Sequence, residues 1–78
     1  MIKIISNWLF ASHIWADANP TPIAINLHEI SHIDQIYVPN LGGNVVAIYT
    51  NSDSEPITIE GDIIEILAKL QEYLTNNY

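Results

Sequence analysis

Near the end of the chain, apolar residues recur at Ile63, Ile66, Leu67, Leu70 and Leu74. This is the i, i+3, i+4, i+7 rhythm of a helix with one buried stripe. Asp62, followed three residues later by Glu65, has the form of a capping box with aspartate as the cap, and Gly61 lets the chain turn into it. The pattern predicts a helix over about 62–75. Upstream, the period shortens from 3.6 to 2. Val45–Thr50 and Ile57–Glu60 are rich in β-branched residues, and Asn51–Pro56 between them is all turn chemistry. Ile36-Tyr37-Val38 runs into Pro39–Asn44, a second hairpin loop, and Ile23–Leu27 alternates as a half-buried strand does. Residues 1–5 offer a further strand. The cluster of Trp8, Leu9, Phe10, Ile14 and Trp15 fits either a short helix from Asn7 onward or a strand end. Asn19-Pro20-Thr21-Pro22 predicts a stiff linker, because a residue before proline is pushed out of the helical region.

The gaps between these strands are too short for the crossover helices of a parallel sheet. The expected fold is therefore α+β: a small antiparallel β-meander of three to five strands, with the C-terminal amphipathic helix packed on one face. One domain spans 1–78, made of an N-terminal strand and aromatic segment (1–18), the proline-containing linker (19–22), the meander (23–60) and the helix (61–75).

Composition narrows the chemistry. A hydrophobic fraction of 49% in 78 residues is enough for a real core and more than one small core needs, which leaves apolar surface for a homo-oligomer contact. Cysteine is absent, so disulfides and thiolate metal sites are excluded. Lys3 and Lys69 are the only cations besides three histidines, against nine carboxylates. Nucleic-acid binding depends on cations that release phosphate counterions, so direct contact with DNA or RNA is not expected, nor is an anionic membrane surface. No segment reaches the roughly 18–20 uninterrupted apolar residues of a membrane span. Ala16-Asp17-Ala18 has the outline of a signal-peptidase site, but Ser6, Asn7, Ser12 and His13 break the apolar run before it. A cytoplasmic location is expected.

The stretch from Pro22 to Leu74 resembles two small bacterial families. In the flagellar FlbD-like proteins, a strand and an "FxLNxxxIxxI" segment precede a β-hairpin and a closing helix, and Ile23–Ile33 occupies the place of that segment here. The LytTR module shares the same element order. The resemblance implies a meander-plus-helix fold. LytTR domains bind DNA through basic loops, and this chain has no arginine to do so, so that activity does not carry over.

His28-Glu29-Ile30-Ser31-His32 is a literal match to H-E-x-x-H. In zinc peptidases this motif is helical, so that residues i and i+4 share a face and both imidazoles reach one metal while the glutamate addresses its bound water. On a strand the two histidines stand about 13 Å apart. The surrounding residues favour strand, although Asn26 can cap a single turn over 27–30. The alternative to a protein with no cofactor is a zinc-dependent hydrolase using His28, Glu29 and His32, with a third ligand from His13, Glu60 or Glu65, or a zinc-binding protein without catalysis in which His13, His28 and His32 meet. The main expectation is a non-enzymatic, acidic protein-binding module, a regulator or inhibitor of the kind that bacteria and phages encode. Its interface candidates are Trp8, Phe10 and Trp15, since aromatics concentrate binding energy. A second candidate surface is an acidic patch of Asp53, Glu55, Glu60, Asp62, Glu65 and Glu72, suited to a basic protein partner.

Overall fold

A computed structural model describes residues 2–15 and 18–76. It contains β1 (Lys3–Ile5), β2 (Trp8–Trp15), β3 (Ala18–Asn26), β4 (Ile30–Val38), β5 (Gly43–Thr50), β6 (Ile57–Ile59) and α1 (Ile63–Asn76). The six strands form one antiparallel sheet in the order β1-β2-β6-β5-β4, with β3 on the other edge of β2. The α+β class and the C-terminal helix are as the periodicity predicts. The aromatic segment resolves as strand rather than helix, which takes the count to six. No described helix is long and apolar enough to cross a membrane.

The expected linker at 19–22 is instead part of β3, with Pro22 opposite Ser12. Proline lacks the N–H a ladder needs, but β3 pairs only with β2, and its other edge has no neighbouring strand to donate to. Confinement to an edge strand is how a sheet accommodates Pro20 and Pro22.

Connectivity forces this sheet to curl. β3 and β4 lie at opposite ends of the path β3-β2-β6-β5-β4. Laid flat, four strand spacings would hold them roughly 19 Å apart. Only the 3-10 turn Leu27–Glu29 joins them, and the four Cα steps from Asn26 to Ile30 reach at most about 14 Å. Backbone hydrogen bonds pin this turn on both sides: the Leu27 N–H donates to the Asn7 carbonyl at 2.9 Å, and the Asn51 N–H donates to the Glu29 carbonyl at 2.8 Å.

The curled sheet wraps a core in which Leu9, Val46, Ile48, Ile59 and Ile66 are fully buried, with Ile2, Ala11 and Ile25 beside them. β2 alternates as a half-buried strand should: Leu9 and Ala11 point in, Trp8 and Phe10 point out. Four consecutive residues of β5, Val45–Ile48, are buried, the pattern of a strand covered on both faces. The helix contributes Ile66 to the core, flanked by partly buried Ile63 and Leu70. Asp62 caps it: its carboxylate accepts from the Ile64 N–H at 2.8 Å, so the helix proper begins one residue later than the spacing suggests.

Candidate functional surface

Residues directly opposite each other in an antiparallel pair share a face. In the first hairpin Ile5 stands opposite Trp8 and Lys3 opposite Phe10, while on the other edge of β2, Phe10 faces Ala24 and Ser12 faces Pro22. Leu9 and Ile4 take the inward positions, so Ile5, Trp8, Phe10, Ala24 and Pro22 fall together on the outer face. Ile5 is 58% exposed, Trp8 42% and Phe10 40%. The three form an exposed apolar strip across the paired strands β1 and β2.

Charge sets this face apart from the rest of the molecule. Of its positions on β1, β2 and β3, Lys3, Ile5, Trp8, Phe10, Ser12, Pro22, Ala24 and Asn26, one is a cation and none is a carboxylate; Glu60, whose N–H donates to the Ser12 carbonyl at 2.8 Å, borders the face at the Ser12 end.

Trp15 does not join the strip. β2 keeps its alternation through the irregular pairing between His13 and Trp15, so Trp15 falls on the side of His13, opposite to Trp8 and Phe10. Its indole N–H donates to the Thr21 hydroxyl at 2.9 Å, and its ring packs on the His13 imidazole with centroids 4.0 Å apart. Partial burial holds the His13 pKa below its ordinary value by disfavouring the imidazolium. The aromatic trio expected from sequence thus divides into two surfaces, and Ile5, which no sequence signal singled out, belongs with the first.

The six carboxylates of the expected acidic patch are all exposed. They are also divided. Asp53 and Glu55 lie in the loop before β6, whereas Glu60, Asp62 and Glu65 lie at its far end, and Glu72 sits two turns further along the helix. Asp62 is engaged as the helix cap.

Residues 28–32 do not form a helix. His28 and Glu29 lie in the 3-10 turn, where Asn26 accepts from the His28 N–H at 2.9 Å. Ile30 begins β4, and the pairing shifts between Ile30 and His32, leaving Ser31 as an extra residue whose hydroxyl donates to the Tyr49 carbonyl at 3.1 Å. His32 is exposed and stacks nearly parallel on Tyr49, with ring centroids 4.1 Å apart and planes 11° from each other. The single-face arrangement that H-E-x-x-H chemistry needs is therefore not built here. His13 stands on β2, its ring tilted 37° against that of Trp15. Among the described residues, no three His, Asp or Glu side chains are grouped closely enough to hold a metal ion.

No family model, curated protein or solved structure matches this chain.

Proposed function

We propose that this protein is a non-enzymatic protein-binding module that works as a homodimer, paired through the outer face of β1 and β2. The observation that carries this reading is the exposed strip of Ile5, Trp8 and Phe10, whose β1 and β3 partners include no carboxylate. A chain of net charge −7 repels its own copies at long range. Two copies meeting through Ile5, Trp8 and Phe10 keep Glu60 at the margin of the contact, and each covers the apolar surface of the other. The two-fold arrangement usual for small homo-oligomers requires a patch that can face itself, and this strip is itself uncharged, with Lys3 and Glu60 at its margins. Trp8 and Phe10 supply large contact areas with few side-chain torsions to immobilise, which is why such residues anchor interfaces.

A photo-crosslinker tests the face directly. Benzoylphenylalanine in place of Ala24, which stands opposite Phe10, should link two copies of the chain in the purified protein. The same group in place of Ser52, in the exposed loop before β6, should not. Equal linking from both positions, or none from position 24, would count against the assignment.

A further inference from the structure

Lys3 and Lys69 are the only lysines of the chain, and arginine is absent. Although 66 positions apart in sequence, both line one open groove of about 370 Å³ between β1 and α1. One wall is Lys3, Ile4, Ile5 and Ser6. Because successive strand residues point to opposite faces, a wall made of consecutive residues is the edge of β1 rather than one of its faces. The opposite wall is the helix turn that carries Lys69, Glu72 and Tyr73.

Bringing both lysines to one cleft is unfavourable on its own, since like charges repel. Glu72, one turn beyond Lys69, offsets one of the two charges and leaves the groove at about net +1 in a molecule of net −7. Ile4 and Ile5 give the groove an apolar side next to its charges, and its volume lies within the range of small-molecule sites.

We propose that this groove binds a small carboxylic acid with an apolar tail, its carboxylate held between the Lys3 and Lys69 ammonium groups and its tail against Ile4 and Ile5. The net charge favours a monoanion over a phosphate dianion. The ligand would sit between strand edge and helix in a single chain; Lys3 and Ile5 also border the proposed dimer face, whereas Ile4, Lys69, Glu72 and Tyr73 do not, so shifts at residues 69–73 report the groove and not the dimer contact.

The test is an amide chemical-shift titration of the full-length, nitrogen-15-labelled protein with octanoate, and with acetate and 1-octanol as its charged and apolar halves. Octanoate should shift the amides of residues 3–6 and 69–73 saturably. Acetate, lacking the tail, and 1-octanol, lacking the charge, should each bind at least about tenfold more weakly, given the value of buried methylenes and of a charged hydrogen bond. Lys3→Gln and Lys69→Gln should each weaken octanoate binding roughly five- to tenfold, as expected for loss of one partly exposed charged contact. Lys69→Arg should retain binding, which separates loss of charge from any disturbance of the helix, and Glu72→Gln should strengthen it. Shifts centred elsewhere, 1-octanol binding as well as octanoate, or affinity indifferent to both lysine substitutions would overturn the proposal.

Discussion

The side chain of Ile2 occupies the space that a side chain on Gly61 would need: its Cδ1 lies 2.7 Å from where a Cβ at position 61 would stand. Ile2 is buried in the core, and Gly61 holds a φ of +140° as the chain turns from β6 into the helix. The start of the chain and the start of the helix are thereby locked together. Gly61→Ala introduces both a contact with Ile2 and a backbone conformation that L-residues avoid, so it should destabilise the fold by about 2–3 kcal/mol. Urea denaturation followed by circular dichroism measures this loss, and a change within error would show that the two elements are not locked.

Ser6 makes the opposite prediction. It occupies the left-handed region in the two-residue turn between β1 and β2, at a position where glycine is not penalised. Ser6→Gly should leave stability unchanged or raise it by up to about 1 kcal/mol, the difference between relieved strain and the extra entropy of an unfolded glycine. A clear loss in the same urea experiment would mean that the Ser6 side chain holds the turn.

Protonation of His13 should weaken the fold. Its folded-state pKa lies below the ordinary value of 6.5 because partial burial disfavours the charged ring. Well above pH 6.5 the imidazole is neutral in both states and contributes nothing to the pH dependence. As pH falls through 6.5 the unfolded chain takes up the proton first, so unfolding is favoured, and the penalty levels off once the folded His13 is itself protonated. His13→Gln should remove this part of the acid-side slope, read as thermal midpoints between about pH 7 and 5. An unchanged slope in the variant would place the sensitivity on other groups.

Ile66 is the helix residue that reaches the fully buried core, in a cluster with Leu9, Val46, Ile48 and Ile59. Ile66→Ala should cost about 3–4 kcal/mol from lost burial and the cavity left behind. That is a large part of the stability of a domain this small. Its counterpart on the exposed side, Leu67→Ala, should cost much less, since Leu67 is 49% exposed. Similar losses at both positions would mean that the helix packs in a different rotation.

What the sequence made legible follows from how far apart the deciding residues are. The helix was readable because Ile63, Ile66 and Leu70 repeat locally and Asp62 supplies its own cap. β5, β6 and the loop between them were readable from β-branched runs and a stretch of turn residues. β2 stayed ambiguous because Trp8 and Phe10 on its outer face are as apolar as Leu9 on its inner face, which hides the period of two. The preference that proline imposes on its predecessors, extended backbone, suits a linker and an edge strand equally. What turned residues 19–22 into strand was the open edge of β2. That Trp15 faces away from Trp8 and Phe10 follows from parity along β2, so it could be read only once the segment was known to be strand. The meeting of Lys3 and Lys69 had no local signal at all, since it depends on where the helix comes to lie.

Sedimentation velocity across a concentration series, on the wild-type chain and on the Trp8→Ser/Phe10→Ser double variant, bears most directly on the central claim. Both side chains point outward from β2 and belong to no part of the buried core, so the variant should keep its fold and its melting temperature within a few degrees. The wild-type protein should sediment as a dimer in reversible equilibrium with monomer, and the double variant as monomer throughout. A wild-type chain that remains monomeric at every concentration, or a dimer indifferent to the loss of both aromatics, would contradict the assignment of this face.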